Sequence, residues 1–230
     1  MYSVSFNGAN CLQYGILPVR RPDIPAPEEE RQEITIPGRD GILTEPGGRY
    51  LPIVIPVEFN FLQEPEKWAG TFRAAKKWMR GSGDLEFSDD MHYLYKVYYC
   101  KVTDTERTSH RIGKFTAEFT CHPYQYVREG QREKSIEEIK QNPYYLSHPI
   151  YKITGEGVCK ITMNGKTVSA NVGQNIVIDT EQMLAYRTDG TMQNTAITGD
   201  YEDLYLQEGN NEISITTGFD IKIIPNWRVL

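Results

Sequence analysis

The side chains able to do chemistry in this chain are first its clustered carboxylates. Asp89-Asp90, Glu28-Glu29-Glu30 and the trio Asp200, Glu202 and Asp203 bring acids close together. Two carboxylates across a cleft are what glycoside hydrolysis needs. Neighbouring acids in a turn more simply bond turn backbone or face water, and that is the role expected of these. His92, His110, His122 and His148 stand apart, with no His-Glu-x-x-His helix and no cysteine spacing matched to a zinc site. No Ser or Cys lies in a nucleophile motif. Gly38-Arg39-Asp40-Gly41 resembles a phosphate loop in its glycines alone; no Gly-Lys-Ser/Thr and no helix start follows, so it reads as a turn. The sequence therefore predicts no enzyme: no catalytic residue, no cofactor-binding residue and no metal ligand.

What these residues sit on is mostly strand. The exception is the stretch 63–83, where Trp68, Phe72, Ala75 and Met79 recur at i, i+4, i+7 and i+11. That spacing draws one apolar stripe down a helix and leaves Lys67, Arg73, Lys76, Lys77 and Arg80 in water. Pro65 suits the first helical position, Glu66 the positive end of the helix dipole, and Gly81 and Gly83 stop the helix. A lone helix with two Trp and a Phe near its buried side must lie on a sheet.

That sheet is legible on both sides of the helix. Asn7-Gly8 predicts a tight hairpin. The proline-rich, acidic stretch 20–30 reads as an extended arm or a solvated loop. From 51 to 61 the alternation is strict, with Leu51, Ile53, Ile55, Val57, Phe59 and Phe61 on one face; Pro52 and Pro56 demand that its first half be a sheet edge. Strands are expected at 83–87, at 93–103 with Tyr93, Tyr95, Tyr98 and Tyr99 on both faces, and at 112–121 with Phe115, Ala117, Phe119 and Cys121 inward. Helix and strands in this order make an α+β unit, mostly β by count.

With 230 residues, 39% hydrophobic and 24% charged, the chain has the composition of a globular protein. Its net charge of −6 argues against sequence-specific nucleic-acid binding, and neither the part before Gly130 (16 basic, 18 acidic) nor the rest (9 basic, 13 acidic) is basic. No apolar run of about 18 residues exists to enter a membrane. Met1-Tyr2-Ser3-Val4-Ser5-Phe6 lacks the basic start and apolar core of a secretion signal. Cys11, Cys100, Cys121 and Cys159 are scattered with no Cys-x-x-Cys pair, and read as structural thiols folded in a reducing compartment.

Residues 128–142 are polar and charged and read as a linker, with some strand at 135–137. Beyond them come short strand candidates at 150–153, 158–163, 166–170, 176–179, 184–187, 212–216 and 219–224, with Asn164-Gly165 as a hairpin turn. Such a run describes a β-sandwich. The expected organisation is an N-terminal domain at 1–127, a linker at 128–142 and a C-terminal domain at 143–230; the fold class is mainly β.

Several of these landmarks occur in a recognisable order. They are Pro37-Gly38-Arg39-Asp40-Gly41 before a long strand, one helix ending near Trp78, Gly83-Asp84-Leu85-Glu86-Phe87-Ser88-Asp89-Asp90, and Phe119-Thr120-Cys121-His122-Pro123-Tyr124. Then follow Pro149-Ile150-Tyr151-Lys152-Ile153-Thr154-Gly155-Glu156-Gly157, Asn164-Gly165, Ile178-Asp179, Glu208-Gly209-Asn210-Asn211 and Pro225-Asn226-Trp227-Arg228. Over essentially its whole length the sequence resembles the distal tail (Dit) proteins of siphophages, and of prophages or tail-like particles, of Gram-positive bacteria.

The resemblance implies a tail-tube-like N-terminal β-sandwich or barrel with one helix, and a galectin-like C-terminal β-sandwich. It implies a virion structural protein of the distal tail or baseplate, made in the host cytoplasm, with no cofactor and no membrane insertion. Its partners would be itself, as a homo-hexamer ring or back-to-back rings, the tail tube protein, the tail-associated lysin or tail fibre protein, the C-terminus of the tape-measure protein, and receptor-binding proteins. DNA would pass through the channel without being read. Edge strands and the proline-rich arm are what ring closure would use, which assigns the stretches 20–30 and 34–50, and in them Arg20, Arg21, Pro22, Asp23, Arg39, Asp40, Arg49 and Tyr50, to subunit contacts. The alternative function is a carbohydrate-binding module that attaches the tail to cell-wall polysaccharide, with Trp227, Tyr186 and Tyr205 (and Tyr201 nearby) as stacking surfaces. The His-x-Asn-x-Arg pattern of galectins is absent from the second half, and Trp227 reads equally as a core or hinge residue.

Overall fold

Asn7 and Gly8, at φ 51° and 74°, form the two-residue turn that their dipeptide predicts, and from there the first sheet can be followed strand by strand. The computed structural model describes residues 2–103, 105–107 and 109–230. It divides into two compact units, one ending at Gln125 and including Leu230, the other Tyr126–Val229. The first contains β1 (Val4–Phe6), β2 (Ala9–Asn10), β3 (Leu17–Pro18), β4 (Glu29–Ile34), β5 (Leu43–Tyr50), β6 (Ile53–Leu62), α1 (Pro65–Trp78), β7 (Gly83–Phe87), β8 (Tyr93–Val102) and most of β9 (Ile112–Val127).

Seven of these strands form one sheet in the order β2-β1-β7-β8-β9-β6-β3. Its spine is the antiparallel ladder of β6 and β9, in unbroken register from Ile53↔Cys121 to Leu62↔Ile112. Ile55, Val57 and Phe59 are fully buried opposite Phe119, Ala117 and Phe115, as the alternation demands. Leu51, placed by that alternation on the same face, lies outside the strand and is exposed. β3 reaches only Phe59 and Asn60, so the first half of β6, with Pro56, is a sheet edge among the described residues.

Helix α1 lies on this core through Ala75 and Met79, with Trp68 and Phe72 partly buried against it. Trp78 goes deepest. Its ring stacks on Tyr14 (5.0 Å) and meets Phe59 edge-on (6.3 Å), and its Nε1–H donates to the carbonyl of Phe6 at 3.1 Å. That bond satisfies the indole in an apolar setting. It also ties the end of the helix to β1. In β8 the expected two-faced tyrosines divide unequally: Tyr95 is buried while Tyr98 and Tyr99 are exposed. Val97 and Cys100, three apart, both pack on the core, so the alternation slips by one residue at the tyrosine pair, the burial pattern of a bulge.

The second unit contains α2 (Ile136–Ile139), β10 (Gln141–Asn142), β11 (Ile150–Met163), β12 (Lys166–Asp179), β13 (Leu184–Tyr186), β14 (Ile197–Thr198), β15 (Gly209–Asn210), β16 (Ile213–Ile215), β17 (Asp220–Ile224) and β18 (Arg228–Val229). The strand candidates 150–153 and 158–163 are one strand, as are 166–170 and 176–179. β11 and β12 pair without a break from Ile150↔Asp179 to Met163↔Lys166 around the Asn164-Gly165 turn. The sequence looks interrupted because Gly155 (φ 152°), Gly157 (φ 101°) and Gln174 (φ 71°) sit mid-strand, where the backbone leaves ordinary β geometry. At its base the hairpin is flanked by β13 and β17, and at its tip by β14 and β16. Tyr151, Ile153, Ile176 and Ile178 from the base share one core with Ile161, Met163, Val168 and Ala170 from the tip.

Residues 128–142 are not bare linker. Glu138 accepts from both the backbone N–H and the hydroxyl of Ser135, each at 2.8 Å, which starts a helical turn where strand was expected at 135–137. Ile139 enters the core, and the buried Asn142 donates to the carbonyls of Tyr145, Leu206 and Gln207.

Two glycines test this packing with opposite signs. A Cβ on Gly113 would lie 2.3 Å from the Phe61 ring, its partner across the ladder. Gly113→Ala should therefore destabilise by about 1–3 kcal/mol in urea unfolding. Gly70, mid-helix with nothing within 4 Å of a built Cβ, should stabilise by about 0.5–1 kcal/mol as Gly70→Ala.

Candidate assembly surface

The proline-rich arm does not float. Pro22 is buried and Ile24 packs against the core of the first unit, with Arg20 paired to Asp23 (3.3 Å) and Arg21 to Asp89 (2.8 Å). What projects is the next element. β4 and β5 form a two-stranded sheet of their own and contribute no buried residue to either core. The turn uses Gly38 and Gly41 at φ 82° and 83°, and Leu51 N–H donates to Glu28 O (2.8 Å) to close the base.

A bulge near that base is locked by charge. Glu29 pairs with Tyr50 but Arg31 with Pro46, so extra residues of β5 are accommodated opposite Glu30. Gly47 is required there, because a Cβ would lie 2.9 Å from Glu30 O. Arg49 grips the Glu30 carboxylate with two N–H donors, Nη2 to Oε1 at 2.8 Å. That hydrogen bond holds the Glu30 carboxyl below its ordinary pKa. Toward the tip the hairpin shows apolar surface: Ile36, Ile42 and Leu43 are exposed, as is Leu51 at its base. A lone two-stranded hairpin is marginal in water.

Of the residues assigned to subunit contacts, Arg39 and Asp40 are exposed in the tip turn, Arg49 lies in the bulge, and Tyr50 meets Tyr124 edge-on at 6.0 Å. Arg20, Arg21 and Asp23 are exposed at the arm, while Pro22 is buried within its own unit and offers no surface. The stretches 20–30 and 34–50, assigned to subunit contacts from the sequence, also contain Glu30, Ile36, Ile42 and Leu43, which were not singled out there. Their signal was present: two short apolar runs on either side of Pro37-Gly38-Arg39-Asp40-Gly41 spell a hairpin with an apolar tip.

The aromatic residues considered for sugar stacking are held apart by different neighbours. Trp227 packs on the second core beside Tyr144 (5.6 Å) and against Gly130, where a Cβ would come within 2.8 Å of it. Tyr205 stacks on His148 (4.2 Å), and Tyr186 lies in β13 opposite Val177. The acids are likewise engaged: Asp89 with Arg21, Glu30 with Arg49, and Asp203 with Lys166 at 2.6 Å. Among the described residues no three His, Cys, Asp or Glu are grouped to hold a metal ion. All four cysteines are free; Cys11, Cys121 and Cys159 are buried, and burial pushes the Cys100 and Cys121 thiols up to about 12.

Neither the models of known protein families nor the curated proteins give a match to this sequence. Among solved structures, the chain is similar in fold to the Dit (gp 19.1) protein of SPP1, whose crystal structure is described as a paradigm of the hub adsorption apparatus of phages infecting Gram-positive bacteria. The likeness covers 100% of both chains with a TM-score of 0.67 at 13% sequence identity. The mainly β, Dit-like fold named from the sequence is thus the fold observed.

Two outcomes follow. Joining Glu28 to Leu51 through Asn-Gly, which removes the hairpin, should change the urea-unfolding free energy by no more than about 1 kcal/mol, since no core residue is lost and only the Tyr50–Tyr124 ring contact goes. At pH 8 the native thiols should resist Ellman's reagent and all four should react in denaturant, because the thiolate is the reactive form.

Proposed function

We propose that this protein is the structural hub of the distal end of a long non-contractile phage tail, in a phage, a prophage or a tail-like particle. One observation carries the reading: in a chain whose fold matches a phage hub protein from end to end, the β4–β5 hairpin has no core of its own and shows aliphatic residues to solvent. Such a hairpin is completed by a neighbour. If each copy lends its hairpin to the next, the contact is head-to-tail, and it closes into a ring when the rotation per copy divides the circle.

In this reading residues 1–127 supply the ring and 143–230 a docking module. Arg20, Arg21, Asp23, Arg39, Asp40, Arg49 and Tyr50 line the contact between copies, with Ile36, Ile42 and Leu43 buried in it. Six copies enclose a channel through which DNA passes. The tail tube and the C-terminus of the tape-measure protein lie on one side, the tail fibre or tail-associated lysin on the other, and receptor-binding proteins around them. The function is geometric: the protein positions partners and performs no reaction. Its place is the virion, after synthesis in the host cytoplasm.

Light scattering after size exclusion should give six times the 26.4 kDa of one chain, or twice that for paired rings, and negative-stain images should show a pore. The hairpin-deleted chain should elute as a folded monomer. A wild-type chain that stays monomeric at high concentration and forms no ring beside its tube partner would overturn the proposal.

A further inference from the structure

Four places in the sequence put an Asn or Asp side chain beside the backbone nitrogen of a glycine: Asn7-Gly8, Asp40-Gly41, Asn164-Gly165 and Asp189-Gly190. At such a dipeptide the glycine nitrogen can attack the side-chain Cγ and close a five-membered succinimide, because the glycine has no Cβ to crowd the approach. The reaction needs a side chain that is free to turn toward that nitrogen. The fold decides which of the four has one.

Three are held. Asn7 donates from Nδ2 to the Ser82 carbonyl (3.1 Å) and accepts at Oδ1 from Asp84 N–H (3.1 Å). Asn164 donates to Asn211 Oδ1 (3.1 Å) and accepts from Glu212 N–H (2.8 Å). Asp189 Oδ1 accepts from Thr191 N–H (2.8 Å), a bond that holds its carboxyl below the ordinary pKa and so favours the unreactive carboxylate. The Gly190 nitrogen that would attack already donates to Arg187 O (2.8 Å). Asp40-Gly41 differs. It lies in the turn beyond Ile34↔Leu43, the last pair of β4 and β5, and both of its residues are exposed. Among the described residues no hydrogen bond or ion pair engages the Asp40 carboxylate or the Gly41 N–H. Gly41, at φ 83°, has open space where a side chain would stand.

We propose that Asp40-Gly41 is a site of spontaneous isoaspartate formation, so that the chain ages at the tip of the β4–β5 hairpin. The Gly41 nitrogen bonds to Asp40 Cγ, and the carboxyl hydroxyl leaves with the amide proton as water. A second water then opens the ring at one of its two carbonyls. Opening at Cγ restores aspartate, whereas opening at the backbone carbonyl leaves the chain running through Cβ and Cγ. One water is lost and one taken up, so the mass is unchanged while the backbone gains one carbon inside the turn. That carbon shifts Arg39 and Ile42, on either side of it, relative to each other. The inference is independent of the hub reading, since the free turn suffices. In a joined ring the neighbouring copy would cover this turn, so the reaction belongs to the chain before it assembles.

Peptide mapping of the full chain aged in warm, mildly acidic buffer tests it, with isoaspartate located by electron-transfer fragmentation and by isoaspartyl methyltransferase labelling. Each sample is sized first. Ile36→Asp, which changes no core residue, is aged beside the wild type to supply a chain that cannot join through its aliphatic tip. Isoaspartate at position 40 should exceed that at 189 at least about tenfold, the factor that one or two hydrogen bonds impose, while Asn7 and Asn164 stay amides. In urea that selectivity should vanish, with 189 matching 40 and both asparagines deamidating. Asp40→Glu, whose longer side chain cannot close the five-membered ring, should abolish the signal. A ring-forming wild type that is spared while Ile36→Asp is modified supports the site and the hub reading together; modification of a wild type that forms no rings supports the site alone. No isoaspartate at 40 in either chain, or equal accumulation at 189 in the native state, would overturn the proposal.

Discussion

The ladder between β6 and β9 is the constraint on which the first unit depends. Its unbroken register puts every second side chain of two long strands on one face, and that face is the floor on which α1 lies. Slipping the pairing by one residue would turn Ile55, Val57 and Phe59 out to water together, at roughly 2 kcal/mol for each buried side chain lost. The helix depends on the ladder in turn. It has no side-chain cap at its start and carries Gly70 in its middle, so its stability comes from the faces of Trp68, Phe72, Ala75, Trp78 and Met79 on the sheet.

The same ladder fixes where the hairpin emerges. β5 ends at Tyr50 and β6 begins at Ile53, so the arm leaves the sheet beside the open edge of β6. The prolines remove backbone donors from the edge, which discourages indiscriminate strand addition.

In the second unit a single bent hairpin does the work of several strands. Its glycines and the left-handed Gln174 allow base and tip to feed one core, and they leave backbone open on the other face. A fold built this way presents polar side chains from mid-strand rather than from loops, which is how Glu156 and Asn171 come to share a groove with Arg187.

How much of this could be read from the residues differs by element. Period-two alternation specified β6 and β9, the i, i+4, i+7 stripe specified α1, and the Asn-Gly dipeptides specified both tight turns, because each is a local rule whose energy is settled within a few residues. Pro56 likewise announced an edge. The continuity of β11 and β12 was hidden, since a glycine inside a paired strand reads the same as one that ends it until the partner strand is placed. Ser135 and Glu138 carried a cap signature that the surrounding charges masked. Of the residues singled out for contacts, Arg39, Asp40 and Arg49 are exposed on the hairpin and Tyr50 is half-buried at its base, whereas Pro22 is buried, and whether a proline packs or projects is decided by what the fold brings beside it. The sequence by itself determined strands, helix and turns, which obey short-range sterics and hydrophobic periodicity. Only the tertiary structure decided which apolar residues are left over once the cores are full, because exposure is a property of the packed whole.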